Sequence, residues 1–178
     1  MGLDQYLRRC TSVHSFWLNS PKIKELGLAP KIILEDLEDI DPDKICSIVE
    51  EICYWRKCNA IHRWFVENVQ EGEDDCGTYY VGRDQLKELL TTCEEIWEFY
   101  LENKNNHGQP NEEAKQFALV GLPNGEGFFF GNQSYDKDYF EWQIQPTIEM
   151  LKPIVGNYGT VDGSESLLLQ QFEYQASW

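Results

Sequence analysis

The 178-residue chain carries 31 acidic against 15 basic residues, a net charge of −16, with 42% hydrophobic and 13% aromatic content. A chain of this size can bury about two thirds of its unfolded surface without disulfides or metal, and its aromatic content argues against disorder. Its negative field argues against direct binding to nucleic acid or an anionic membrane and favours basic proteins or cations as partners.

The opening MGLDQYLRR lacks the apolar run of a secretory signal, and no stretch approaches the ~20 apolar residues of a membrane span, so a cytoplasmic protein is expected. The cysteines at 10, 46, 53, 58, 76 and 93 form no C-x-x-C pair. They read as reduced, mostly buried thiols, and no cofactor is implied.

In chain order, Leu3, Gln5 and Leu7 alternate with Asp4, Tyr6 and Arg8, which predicts a strand over 2–8. Ser20, Pro21 and Gly27 mark a short helix, and 31–34 a short strand. Asp41 and Pro42 open a further helix carrying Ile45, Ile48, Val49 and Ile52 at helical spacing. Tyr54, Cys58, Ile61, Phe65 and Val69 keep that spacing on a different arc, so the expected helix bends near 51–53 or is buried on two sides. Residues 77–81 read as a strand, and Leu86, Leu89, Leu90, Cys93, Ile96 and Tyr100 as the apolar face of a helix with Lys87, Glu88, Glu95 and Glu98 outside.

Beyond that helix, 104–113 reads as a loop and 117–131 as two strands around the Asn124–Gly125 turn. Ser134 caps a helix that Pro146 kinks or restarts, and 157–166 is a polar linker. Phe172, Tyr174, Ala176 and Trp178 share one face of a final strand. The expected fold is a single α+β domain over 1–178, with a small, mainly antiparallel sheet that includes both terminal strands and packs against three or more helices.

Chemistry concentrates in the block from Tyr54 to Cys76. On a helix, Trp55, Asn59 and His62 fall within about a third of the circumference, with Arg56 and Arg63 on the other side. Such a cluster suits a small-ligand or nucleotide site in which His62 is general base or anion clamp, Asn59 orients the ligand, Arg56 or Arg63 supplies charge, and Asp4 or Tyr6 completes the wall. It equally suits polar groups that hydrogen-bond a packed strand.

Residues 39–50 place oxygen side chains where a calcium loop has them, but Lys44 stands where the sharp turn wants glycine and Pro42 stiffens the start. Cys58 and His62 lack two further ligands for zinc, and the carboxylates of EGEDDC blunt Cys76 as a nucleophile. No metal site and no catalytic residue is assigned. A second signal is acidic: Glu35, Asp36, Glu38 and Asp39, then Glu71, Glu73, Asp74 and Asp75. Such clusters either occupy phosphate-like positions, as in a DNA mimic, or form a solvated face that keeps the protein soluble.

The opening MGLDQYL, the block YWRKCNAIHRWFVENVQEGEDDCGTYYV with RDQLKELL after it, FFFG followed by SYDKDY, and the ending FEYQASW together resemble a family of small proteins encoded by bacteriophages and prophages. The likeness touches about half of the chain. It implies one domain, a bacterial cytosol and a viral or prophage origin, and carries no catalytic residue with it. Gly82 stands where that family's helix has a Ser-like cap, and Cys58 where it has Ala. Two functions follow from the residues. One is an accessory protein that binds a host protein stoichiometrically, inhibiting a nucleic-acid-handling or defence component through its acidic surface. The alternative is a ligand-binding protein or enzyme built on Asn59 and His62.

Overall fold

The strand patterns at residues 2–8 and 170–178 each put one apolar row on one side, and such rows are buried only if the strands share a sheet. In the computed structural model, which describes residues 2–12, 21, 25, 40–41, 44–125, 133–156 and 170–178, they pair directly. Strand β1 (Asp4–Ser12) lies between β2 (Ser47–Arg56) and β4 (Gln170–Ser177), and β3 (Thr78–Val81) adds to the far side of β4. All the pairings of this four-stranded sheet are antiparallel. Gln5 stands opposite Trp55 on one side and Ala176 on the other, and Leu7 opposite Cys53 and Tyr174. These residues, with Leu3, Phe172 and Val81, form the buried face.

The helices are α1 (Asn59–Asn68), α2 (Arg83–Glu102), α3 (Glu112–Gly121) and a last helix, α4. Helix α4 runs from Lys137–Tyr139 through a π-helical stretch, Phe140–Ile144, into Gln145–Gly156. Together the elements make an α+β fold. No helix among the described residues is long and apolar enough to cross a membrane. The predicted helix at 20–27, strand at 31–34 and linker at 157–166 lie outside the described residues, apart from Pro21 and Glu25.

Two expected elements are different. Where the sequence predicts a helix from Asp41 through Tyr54, residues 47–56 form strand β2, followed by a tight turn in which Lys57 has φ of 57°. Ile48, Val49, Ile52, Tyr54 and Trp55 are β-branched or aromatic, and all of them but Ile52 stand opposite a residue of β1 in the sheet. Ile52 is the extra residue of a β-bulge between the Leu7–Cys53 and Arg8–Glu51 pairs, while Ile48 and Val49, successive on the strand, stand on opposite faces and are both exposed, so their helical spacing marks no single apolar face. The two arcs seen in the sequence belong to two elements, β2 and α1. Residues 117–121, expected as strand, complete α3 instead. Asn111 accepts the Ala114 N–H at 2.8 Å, Glu112 and Glu113 occupy the first turn, and the small Ala114 and Ala118 are its buried residues. The second of those expected strands lies almost wholly outside the described residues.

The loop at 104–110 is tied at both ends: Lys104 bridges Pro110, and the Asn105 side chain accepts the His107 and Gln109 N–H groups. Asp136 rather than Ser134 caps α4, accepting from Asp138 and Tyr139 N–H, while the Ser134 hydroxyl donates to Asp136. The disturbance expected at Pro146 takes the form of the π-helical turn before it, where the Gln145 N–H reaches back to Phe140.

Helix α4 is joined to β2 by one buried link. Trp55 Nε1 donates to Thr147 Oγ1 at 2.8 Å, and that hydroxyl donates to the Gln143 carbonyl at 2.6 Å. Removing either partner strands the other in the core, so Thr147→Val and Trp55→Phe should each cost about 1–3 kcal/mol. In urea denaturation the double variant should lose clearly less than the sum of the two. Strict additivity would show that the bond contributes nothing.

Candidate functional site

The residues that looked like one helical patch are divided between a strand, a turn and a helix. Trp55 points inward from β2, and Arg56, the next residue, points outward and is exposed. Alternation along a strand puts neighbours on opposite faces, so the two are separated by the sheet. Asn59, His62 and Arg63 lie on the first turns of α1, where Asn59 and His62 are buried and Arg63 half-buried. Helical spacing brings Asn59 and His62 onto one side, as expected.

Asn59 holds a loop of its own chain. Its Oδ1 accepts the Gly125 N–H at 2.8 Å and its Nδ2 donates to the Gly125 carbonyl at 3.3 Å. A Cβ at position 125 would lie 2.7 Å from that Oδ1, so the approach needs glycine. Arg63 donates to the Asn124 carbonyl and, at 2.7 Å, to Glu67. The polar edge of α1 therefore grips residues 124–125.

His62 belongs to a chain of polar groups that crosses the core. Its Nδ1 lies 2.8 Å from the Tyr174 hydroxyl, which donates to Gln5 Oε1 at 3.0 Å, and Gln5 Nε2 donates to the Cys58 carbonyl at 3.2 Å. On the other side of the ring, Nε2 is 3.2 Å from Asp74 Oδ1, a distance that suits an ion pair, though off the line of a good hydrogen bond. Because the Tyr174 proton goes to Gln5, the hydroxyl accepts from His62, and Nδ1 carries the hydrogen. Nε2 then gains a proton to offer Asp74 only when the ring is charged. Phe65 stacks on the Tyr174 ring at 3.8 Å, and Trp178 sits 6.1 Å from the imidazole.

Burial lowers the His62 pKa from its ordinary value, and Asp74 acts in the opposite direction. Burial pushes the thiols of Cys53 and Cys58 up to about 12 and that of Cys93 higher still, which keeps them protonated and unreactive at neutral pH. All six cysteines are free. Among the described residues, no three His, Cys, Asp or Glu side chains are grouped to hold a metal ion.

The acidic residues at 71–75 form the turn between α1 and β3. Glu71 and Glu73 are exposed, Asp74 faces His62, and Asp75 Oδ1 accepts the Gly77 N–H at 2.8 Å and the Tyr79 hydroxyl at 3.0 Å. Glu35, Asp36, Glu38 and Asp39 lie outside the described residues. Of the calcium-like stretch at 39–50, Ser47 and Glu50 stand on β2, and Glu50 pairs with Arg9 at 2.8 Å.

Gln5 and Tyr174 are the members of the His62 chain that sequence reasoning missed. Their signal was present, since each is a polar or hydroxyl-bearing residue on the apolar row of its strand. Asp4 and Tyr6, the residues expected beside His62, lie on the opposite face, where Asp4 accepts the Tyr54 hydroxyl at 2.5 Å. Comparison with family models, with curated proteins and with solved structures found no match.

With the folded pKa of His62 lowered, the unfolded chain takes up the proton first. This residue's contribution is therefore present above about pH 6.5 and declines as pH falls from there through the folded value. In an NMR titration the His62 ring should show a midpoint below about 6.5. Asp74→Asn should move it lower, because the carboxylate is what holds the proton on. A midpoint above 6.5 in the unaltered protein, or an upward move in Asp74→Asn, would contradict the assignment.

Proposed function

We propose that this is a non-enzymatic accessory protein of phage or prophage origin that acts in the cytoplasm of a bacterial host by binding, stoichiometrically, a host protein with a basic surface. Its acidic exterior takes the place of a polyanion, so a nucleic-acid-handling or defence component is the kind of target that fits. The observation that carries this reading is the separation of its charges from its polar core groups. Carboxylates stand outward along α2, at Glu88, Glu95, Glu98 and Glu102, and again at Glu71 and Glu73, and among the described residues none of these six is in an ion pair. The groups that would have served a small ligand are committed inward: Asn59 to Gly125, and His62 to Tyr174 and Asp74. With a net charge of −16, the long-range field attracts a basic partner and repels nucleic acid itself.

Electrostatic association of this kind weakens as salt shortens the reach of surface charges, from about 10 Å at 0.1 M to about 3 Å at 1 M. Tagged protein incubated with host lysate should retain a basic partner at low salt and release it at high salt, as read by mass spectrometry. Neutralising Asp36, Glu38 and Asp39 together should weaken retention by about tenfold or more, chiefly through a slower association rate. Retention indifferent to salt and to these substitutions would remove the electrostatic reading.

A further inference from the structure

Helix α3 packs on α2 through Ala114 and Ala118, and at Gly121 a Cβ would meet Ile96 at 3.1 Å. Small residues let the two helices approach closely, and the larger apolar side chains of α3 are left facing outward. Phe117 stacks on Phe99 of α2 with ring centroids 4.4 Å apart and an interplanar angle of 12°. Phe117 keeps 39% of its surface exposed and Val120, one turn on, 72%. Where α3 meets α2 there is a shallow, open groove of about 640 Å³, lined by Phe99 of α2 and by Glu112, Glu113, Gln116, Phe117 and Val120 of α3. Its floor is apolar, and its charges have one sign.

Those charges identify the occupant. Glu112 and Glu113 are part of its lining, and on α2 Glu95 and Glu102, about one turn before and after Phe99, are exposed. The nearby Lys115 is held by Glu112 at 2.6 Å. A second copy of this chain would bring acids against acids, and a small anion would meet carboxylates. A helix with apolar residues on one face and lysine or arginine on the other satisfies both the floor and the rim.

We infer that the α2–α3 groove is a docking site for a basic amphipathic helix of a partner protein. An apolar anchor of that helix covers Phe117 and Val120, and its cations meet Glu112, Glu113 and the outer acids of α2. The inference rests on the reading of the protein as a binder of a basic partner and adds which face binds and what it recognises. Burial of the anchor accounts for affinity, and the acids account for orientation and approach rate.

The test uses a fluorescently labelled helical peptide of leucine and lysine, with leucine on one face, at nanomolar concentration, and a scrambled peptide of the same composition that segregates no apolar face. Fluorescence anisotropy should show the segregated peptide binding about tenfold or more tightly than the scrambled one. Val120→Lys, at an exposed position that leaves the core untouched, should bring the two together, while Glu112→Gln with Glu113→Gln should flatten the salt dependence. Thermal melts should match the parent for Val120→Lys and fall only slightly for the glutamine pair, which gives up two acids at the start of α3 but no core contact. Equal binding of the two peptides, or full affinity in Val120→Lys, overturns the inference. So does a dimer in sedimentation that Val120→Lys dissociates, since the groove would then be filled by a second copy. If neutralising Asp36, Glu38 and Asp39 releases the captured host partner while Val120→Lys retains it, the binding function stands and the groove is not its site.

Discussion

The Tyr174 side chain is the point on which the described core depends. Its ring is stacked on Phe65 of α1, and its hydroxyl, which would be costly to bury alone, is placed between His62 of α1 and Gln5 of β1. One residue of β4 thus ties the strand to its neighbour and to the helix lying across both. The position is available only because β1 and β4 are adjacent, although partners such as Leu7 and Tyr174 are 167 positions apart in sequence. The loop-closure cost of that pairing, whose partners lie 159 to 173 positions apart, is offset by burial of Leu3, Leu7, Phe172 and Ala176 on the same face.

This constraint also governs where chemistry can occur. A buried polar group is tolerated when paired, and here the pairing is internal: imidazole, phenol, amide and main-chain carbonyl satisfy one another in sequence. Asn59 and Arg63 extend the same economy to the 124–125 loop. The functional surface is accordingly sought among groups the fold leaves outward, which are carboxylates on α2 and apolar side chains on α3. Helix–helix packing through alanine and glycine creates that apolar strip, because a helix that buries its small residues must present its large ones elsewhere.

Much of the fold was legible where a pattern had a single reading. Strict alternation marked β1 and β4, and the long apolar stripe from Leu86 to Tyr100 marked α2. Readings were lost where two periods coincide. Ile48 and Val49, exposed on opposite faces of β2, together with Ile52 imitate a helical stripe, and the short run around Phe117 is apolar enough for a strand although Asn111, Glu112 and Glu113 are a helix start. The candidate site was legible in composition but not in arrangement. Treating Trp55 to His62 as one helix put Trp55 on one face with Asn59 and His62, whereas Trp55 belongs to a strand and a turn at Lys57 and Cys58 separates it from the helix that carries the other two.

By itself, the sequence determined the α+β class, the helical and strand periods of the long elements, and a field dominated by negative charge, because each of these depends on local spacing or on a sum over residues. Only the tertiary structure decided what the conspicuous residues do. Whether His62 faces a ligand or a tyrosine depends on which strand lies across α1, and whether Phe117 is core or surface depends on which side of α3 meets α2. Both are set by contacts between distant segments, whose energies no local window contains.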